Sequence, residues 1–326
     1  MKKIVYDDVP SFLRDFITYM EAIKGKSKNT VNEYYFDLRT FFRFMLVSRG
    51  LADFDNFEKI DLSSIDIDFL NTITLHDLYE YLAYTSRERL NNANSRARKV
   101  ASLRAFFKYL NVKANLIDDN PAKDLDSPKI PKTLPKYLSL DESKNLLKSI
   151  DGNDKLRDYA IITLFLNCGL RLSELAGINL NSIKDDKLVV IGKGDKERTI
   201  YLNKACLDAL NSYVENERPK DGIKALHKNA LFISRNKQRI SVKTIQHLVK
   251  KHLQAAGLDT SKYSVHKLRH TAATLMYRYG NVDVRVLQEI LGHTNLSTTQ
   301  IYTHLDDEQL RNAAGNNPLA EYKEEE

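Results

Sequence analysis

Apolar residues in the first third of the chain recur at the three- and four-residue spacing of helices that bury one face. Two of these stripes are Phe12, Phe16, Met20, Ile23 and Val100, Leu103, Phe107, Leu110. Helix-capping residues precede further stretches: Thr30 with Glu33 before 34–47, Thr74 before a helix that runs toward Tyr84, and Asn92 before the second stripe. The pattern predicts an almost entirely helical N-terminal domain at 1–121.

A proline-rich segment then interrupts the helical pattern. Four of the seven prolines, at positions 121, 128, 131 and 135, fall in this one window. Proline lacks a backbone donor and disfavours helix in the residue before it. We therefore predict an extended linker at 122–138, a second domain at 139–314 and a C-terminal tail at 315–326.

The second domain combines helices with one short hairpin. Ser139 and Glu142 form a capping box for a helix that ends near Ile150, and another helix at 154–168 stops at Gly169. Lys187–Ile191 and Arg198–Leu202 are β-rich runs on either side of 192–196. From Lys204 onward the pattern returns to helix. The predicted fold class is mainly α, with a small antiparallel β-sheet in the C-terminal domain.

Composition points to an anionic partner. The chain of 326 residues has 50 Lys and Arg against 43 Asp and Glu, a net charge of +7. Seven basic residues and a single acidic one lie between Arg87 and Lys108. A charged run of this kind is more often a solvated helix face, so the run indicates a phosphate-facing surface only in combination with other features.

Several classes of protein are disfavoured. No apolar run approaches the roughly 20 residues of a membrane span, and the start of the chain reaches acidic residues before any apolar stretch, unlike a signal peptide. A cytoplasmic protein without membrane contact is predicted. Cys168 and Cys206 lack the spacing of a zinc or redox site, which favours buried free thiols.

Candidate chemistry is concentrated in the second domain. Gly192, Lys193 and Gly194 do not form a nucleotide-binding loop, because a strand follows them. His266 and Arg269 are three residues apart, so a helix presents both on one face. His266 and His270 have metal-ligand spacing, but no HExxH glutamate or third ligand accompanies them, and no metal site is predicted.

Two further candidates follow the helical stripe of Val284, Leu287 and Leu291. Gly292 is placed to end this helix and to deliver His293 just beyond it. Ser297 and Gln300 then cap a short helix that carries Tyr302. Alone, each of these residues would be interpreted as structural.

Taken together, five motifs resemble the tyrosine recombinases, also called the phage integrase family. The motifs are Gly169-Leu-Arg171-Leu-Ser-Glu174-Leu, Gly192-Lys193-Gly194-Asp-Lys-Glu-Arg198, His266-x-x-Arg269-His270, Leu291-Gly292-His293 and Tyr302. Their order and approximate spacing match from Ser139 to about Ala313, and the first domain is similar to the family's helical core-binding domain. Within the family, the chain is most similar to the Xer group.

The resemblance implies a site-specific DNA recombinase that forms a 3′-phosphotyrosine intermediate without metal, ATP or any cofactor. Tyr302 is then the nucleophile, and Arg171 with Arg269 is the clamp on the scissile phosphate. Lys193 protonates the leaving 5′-oxygen, His266 assists proton transfer and His293 hydrogen-bonds the phosphate. Glu174 is expected to orient Arg171.

The resemblance also implies partners. The substrate is a double-stranded recombination site, and a homo- or heterotetramer acts on two such sites, with the C-terminal tail packing on a neighbouring subunit. An activating septal DNA translocase or an accessory factor fits the same scheme, and the protein is expected at the nucleoid. Candidate DNA-contacting residues are Arg96, Arg98, Lys99 and Ser102 in the first domain and Lys243 and Gln246 in the second.

Two other functions remain open from the sequence. A type IB topoisomerase uses similar Arg, Lys, His and Tyr chemistry to relax supercoils, and a non-catalytic architectural protein would also be basic and helical. The acidic end of the chain and the long segment 51–73 leave the biological role open between chromosome dimer resolution and recombination of a mobile element or invertible switch.

Overall fold

The computed structural model describes residues 9–130, 136–192, 196–280, 282–292 and 299. The chain forms two compact units, Met1–Lys132 and Thr133–Glu326, and each has its own hydrophobic core. Ala122 and Leu125 are buried in the first core and Leu138 in the second. The two ends of the predicted linker at 122–138 are therefore packed into the units that they join.

The described part of the first unit is helical. Its α-helices are α1 (Ser11–Thr18), α2 (Lys28–Ser48), α3 (Ile67–Asn71), α4 (Leu75–Arg87) and α5 (Ala93–Val112). Helix α1 continues into a π-helical turn at Tyr19–Ile23, and a 3-10 turn at Phe54–Lys59 follows α2. Helix α2 packs on α1, α4 and α5, around a core rich in phenylalanine.

Capping explains where these helices begin. Thr74 and Asp77 form the capping box of α4, and the Asn92 side chain accepts from the Ser95 N–H at the start of α5, as predicted. The predicted start of α2 was wrong. The Ser27 hydroxyl accepts from the Thr30 N–H, so Ser27 is the N-cap and the helix begins before the predicted capping box.

The second unit contains α6 (Leu140–Lys148), α7 (Lys155–Cys168), α8 (Leu172–Gly177), α9 (Lys204–Asn216), α10 (Val242–Ala255), α11 (Val265–Tyr279) and α12 (Val284–Leu291). Helix α7 is buried between α6, α9 and α11. Gly169 ends α7 and Gly292 ends α12 in the left-handed conformation, with φ of 58° and 62°, as predicted.

A three-stranded antiparallel sheet follows α8. Its strands are β1 (Ile183–Lys184), β2 (Lys187–Ile191) and β3 (Glu197–Tyr201), in the order β1-β2-β3. The sequence predicted the β2–β3 hairpin but missed β1, which has only two residues. The predicted return to helix from Lys204 was also incomplete, because an irregular segment with isolated bridges at Ala230, Ile233 and Arg239 separates α9 from α10.

The secondary structure and the two cysteines agree with the predictions from the sequence. Mainly helical secondary structure with a small antiparallel sheet in the second unit confirms the predicted fold class. Cys168 and Cys206 are buried free thiols, as predicted, with their sulfur atoms 3.8 Å apart. Among the described helices, none has the length and apolarity that crossing a membrane requires.

Candidate active site

Arg171 is held at the start of α8 by a carboxylate one turn further on. Its backbone N–H donates to Glu174 Oε2 at 2.8 Å, and its Nη1 donates to Glu174 Oε1 at 2.7 Å. The Arg171 side chain keeps 31% of its surface exposed, whereas that of Glu174 keeps 1%. Glu174 thus contacts both the backbone and the guanidinium group of Arg171, and its role in orienting Arg171 for catalysis stays a prediction.

Arg269 lies on α11 and is almost fully buried. Its Nη1 donates to the Gly169 carbonyl oxygen and its Nη2 to the Leu291 carbonyl oxygen, each at 2.6 Å. The two acceptors belong to the C-terminal ends of α7 and α12. Arg269 therefore ties together the two helix ends from which Arg171 and position 293 follow.

The C-terminus of α12 collects three arginines. Arg198 Nε donates to the Ile290 carbonyl oxygen at 3.1 Å, Arg269 to that of Leu291, and Arg171 Nη2 to that of Gly292 at 2.5 Å. The last carbonyls of a helix have no partner within the helix and form the negative end of its dipole. Three guanidinium groups, two of which pair with Glu174, make this end a cationic centre directly before position 293.

Arg198, the last residue of the second recombinase-like motif, also belongs to this centre, although the sequence alone assigned it no role. Its Nη1 and Nη2 donate to the two oxygens of Glu174, at 2.5 and 2.8 Å. A signal was present in the sequence. In β3, Arg198 stands two residues before the buried Ile200, and a charged residue on the inward face of a strand requires a buried partner.

The ionisation of Glu174 follows from these contacts. Burial by itself raises the pKa of the carboxyl group, but hydrogen bonds from Arg198 and Arg171 and the charge of Arg198 outweigh burial. The net pKa of Glu174 is lowered, so the group is a carboxylate at neutral pH.

The histidines of α11 differ in their surroundings. His266 is exposed in the first turn, three residues before Arg269. Burial, together with the neighbouring Lys267, Arg269 and His266, lowers the pKa of His270 to about 4. His270 is consequently neutral at pH 7. Within the described ranges, no group of three or more His, Cys, Asp or Glu side chains is arranged to hold a metal ion.

The structure thus brings Arg171, Glu174 and Arg269 together, with His266 on the same helix as Arg269. Lys193, His293 and Tyr302, together with the predicted caps Ser297 and Gln300, lie outside the described residues. Position 193 lies between the ends of β2 and β3, and position 293 directly follows Gly292.

The predicted DNA-contacting residues of α5 have a different environment from that expected. Ser102 and Lys99 are buried, and both bind the carboxylate of Asp37 on α2, at 2.9 and 2.7 Å. Because they face the core, they do not offer side chains to DNA, and their assignment is corrected. Arg98 is partly exposed and pairs with Glu33 and Asp37.

Two other residues that were predicted to contact DNA are accessible to solvent. Lys243 and Gln246 are exposed on α10, one turn apart. Arg96, on α5, is partly buried, and its Nη1 donates to the Ser86 hydroxyl and the Asn91 carbonyl oxygen. Arg96 is therefore engaged within the first unit.

Comparison with known proteins decides the family. The model described as "Phage integrase family" matches residues 136–309, and "Phage integrase, N-terminal SAM-like domain" matches residues 13–113. The chain belongs to the phage integrase family. Among its relatives, the tyrosine recombinase XerC of Caldanaerobacter subterraneus is 58% identical, covering 96% of this chain and 88% of the relative.

The recombinase is also similar to the tyrosine recombinase XerD of Proteus mirabilis, with 36% identity over 94% of this chain and 92% of the relative. These relatives identify it as a Xer-like site-specific tyrosine recombinase, an enzyme that acts on DNA. Its fold matches that of a XerH site-specific recombinase solved on difH DNA before cleavage. That pair has a TM-score of 0.67, 22% identity and coverage of 93% of this chain and 84% of the other.

Proposed function

We propose that the recombinase breaks and rejoins DNA through Tyr302, which forms a 3′-phosphotyrosine intermediate. The oxygen–phosphorus bond of the tyrosyl ester forms as the bond between phosphorus and the 5′-oxygen breaks. One phosphate ester replaces another, so the bond energy is retained for rejoining and the reaction needs no ATP. The observation that carries the proposal is the cationic centre at the end of α12, where Arg171 and Arg269 converge.

Arg171 and Arg269 hold the nonbridging oxygens of the scissile phosphate in this scheme. Both guanidinium groups stay charged at any physiological pH and offer planar, paired donors that match phosphate geometry. Their carbonyl and carboxylate contacts fix them before DNA arrives, and such preorganised charge stabilises the transition state at little reorganisation cost.

Proton transfers are assigned to the remaining residues. A tyrosine hydroxyl has a reference pKa of about 10, so it must lose its proton as it attacks. His266, exposed on the first turn of α11, assists that transfer. Lys193 donates a proton to the departing 5′-oxygen, and His293 hydrogen-bonds the phosphate.

The DNA-bound assembly is part of the same proposal. The helical domain at 1–121 and the catalytic domain at 139–314, joined by the linker at 122–138, clamp duplex DNA. Lys243 and Gln246 contact the DNA from α10. Four protomers, identical or of two kinds, act on two sites, with the tail at 315–326 contacting a neighbour. We infer that the enzyme works at the nucleoid, where its substrate lies, and that a septal translocase or an accessory factor activates it.

The test is trapping of the covalent intermediate. Nicked duplexes that lose a short strand after cleavage are incubated with the wild type and with Tyr302→Phe, without metal or ATP, and resolved on a denaturing gel. We expect a protein–DNA adduct with the wild type and none with Tyr302→Phe. Tyr279→Phe, at a tyrosine with 68% of its surface exposed, is the matched control and should form the adduct.

The outcomes separate the competing functions. An adduct that persists in Tyr302→Phe would show that another residue is the nucleophile. Relaxation of supercoils without strand exchange would support a topoisomerase, and tight binding with no adduct on any duplex would support an architectural role. Duplexes from the replication-terminus repeat and from DNA flanking the gene distinguish a chromosomal role from that of a mobile element.

A further inference from the structure

Arg198 connects three parts of the catalytic unit that are far apart in sequence. Its Nη atoms form a two-pronged contact with the Glu174 carboxylate on α8, and its Nε binds the Ile290 carbonyl oxygen near the end of α12. The side chain itself belongs to β3 and keeps only 13% of its surface exposed. It is thus a cross-link among β3, α8 and α12.

The hydrogen-bonding capacity of the Glu174 carboxylate is fully used by Arg171 and Arg198. Each of its oxygens accepts two hydrogen bonds, one from Arg171 and one from Arg198. A carboxylate offers about four lone-pair positions, so all are used. Without Arg198, a buried carboxylate would keep only Arg171 as its partner, and the two side chains could adopt other mutual geometries.

Arg198 also packs closely against the end of α12. A Cβ atom added to Gly292 would lie 3.1 Å from both Cδ and Nη1 of Arg198. Gly292 in turn provides the carbonyl that receives Arg171 Nη2. Arg198 therefore borders both acceptors of the Arg171 guanidinium, namely Glu174 and the Gly292 backbone.

We propose that Arg198 is a positioning residue, which acts on the scissile phosphate through Arg171. It fixes the Glu174 carboxylate and the α12 terminus, and these two groups fix the orientation of the Arg171 guanidinium. The proposal rests on the proposed function, because it assumes that Arg171 meets the phosphate. Arg198 itself is directed to protein acceptors.

The proposal predicts a defect in the cleavage step. Misplacement of a catalytic group by about 1 Å can cost about 100-fold in rate, so Arg198→Ala should cleave about 100-fold more slowly in single turnover. Affinity for DNA should change less than about twofold, because Arg198 contributes no phosphate contact. Arg198→Lys should recover little activity, because one ammonium cannot reproduce a two-pronged contact.

The experiment compares two DNA substrates. One carries the normal scissile phosphate, and the other carries a methylphosphonate, in which a neutral methyl group replaces a charged nonbridging oxygen. A neutral phosphate has less charge for Arg171 to stabilise. The defect of Arg198→Ala, expressed as a ratio to the wild type on the same DNA, should therefore shrink at least tenfold on the methylphosphonate. Arg171→Ala should show the same relief.

Arg239→Ala is the matched control. Arg239 binds the Ala176 and Ile178 carbonyl oxygens at the other end of α8 and makes no contact with Glu174 among the described hydrogen bonds. A loss of general stability should lower cleavage by the same factor on both DNAs. The inference is wrong if Arg198→Ala lowers the cleavage rate by the same factor on both DNAs, or if it cleaves as fast as the wild type. If Arg198→Ala does not fold, Arg198→Lys is subjected to the same comparison.

Failure of the inference can be told apart from failure of the proposed function. If the wild type forms no adduct through Tyr302, or Arg171→Ala cleaves normally, the proposed function is wrong. If Arg171→Ala shows relief on the methylphosphonate and the Arg198 variants do not, only the role of Arg198 is wrong.

Discussion

Glu174 combines deep burial with charge, a combination that proteins sustain only when the charge is fully paired. Its four hydrogen bonds come from two arginines that are themselves anchored to backbone carbonyls. Removing one partner of a buried ion pair generally leaves an uncompensated charge and destabilises a protein strongly. The group is therefore as much a part of the fold of this unit as of its proposed chemistry.

The pH dependence of stability should reveal this carboxylate. Because the pKa of Glu174 is lowered in the folded protein, its stabilisation is fully present above the unfolded pKa of about 4.3 and is lost as pH falls through the lower folded value. Glu174→Gln should have a lower Tm than the wild type at neutral pH, and the difference should shrink on acidification. Tm is measured by calorimetry from about pH 7 down to about pH 3.

Glu215→Gln is the control for this measurement, since Glu215 is exposed on α9. Its Tm should follow that of the wild type at every pH. A difference between Glu174→Gln and the wild type that stays constant or grows on acidification would contradict a lowered pKa for Glu174.

At the scale of single residues, the sequence predicted features that depend on neighbouring residues. It did not predict contacts between residues that are far apart in the chain. The glycines that end α7 and α12 can be predicted because each directly follows an apolar stripe. The pairing of Arg198 with Glu174 spans 24 residues, and no local pattern encodes it. Ser102 was predicted to contact DNA because its partner Asp37, 65 residues away, could not be identified from the sequence.

At the scale of elements, the joint between α7 and α12 organises the candidate site. Gly169 ends α7, its carbonyl oxygen accepts from Arg269, and Arg171 follows two residues later. A Cβ atom at position 169 would lie 2.8 Å from Cδ2 of Leu291, the last residue of α12. The close approach of the two helix ends thus depends on the missing side chain.

Gly169→Ala tests this joint, with Gly25→Ala as its control. Both glycines have nearly equal φ angles, 58° and 57°, so the left-handed backbone penalty of about 1 kcal/mol is common to the two substitutions. Gly25 has no atom within 4 Å of an added Cβ. Gly169→Ala should therefore destabilise the protein by more than Gly25→Ala, as measured by urea unfolding.

The two substitutions should also differ in DNA cleavage. Displacement of α12 by the new contact should shift the carbonyls that hold Arg171 and Arg269, so Gly169→Ala should cleave more slowly than Gly25→Ala in single turnover. If the two variants have equal stability and equal cleavage rates, the ends of α7 and α12 can move apart without a cost in free energy or activity.

At the scale of the whole molecule, the sequence predicted the division into a helical part and a part with a sheet, because a cluster of prolines marks the boundary. It failed where elements are short or irregular. β1 has two residues, and the segment 217–241 between α9 and α10 contains isolated bridges and a 3-10 turn at Ala225–His227 rather than a regular helix or strand. The net charge of +7 indicated an anionic partner, but only the structure separated the exposed cations of α10 from the buried Lys99 of α5.

Lys243, exposed on α10, is expected to contribute to the affinity for DNA. Each phosphate that a cation neutralises contributes about −0.9 to the slope of log K against log salt concentration. If Lys243 contacts a phosphate, Lys243→Gln should weaken binding to all sequences and make the slope less steep by about 0.9. Gln246→Ala removes no charge, so it should leave the slope unchanged and alter the preference among related sites.

Lys144→Gln on α6 is the charge-matched control, because it removes an exposed cation outside the proposed DNA-contacting pair. Binding is measured by fluorescence anisotropy over a range of salt concentrations, on the preferred duplex and on a scrambled one. A slope for Lys243→Gln equal to that of the wild type would remove α10 from the DNA interface. A Lys144 variant with the same change in slope would show that overall charge, rather than the position of Lys243, governs affinity.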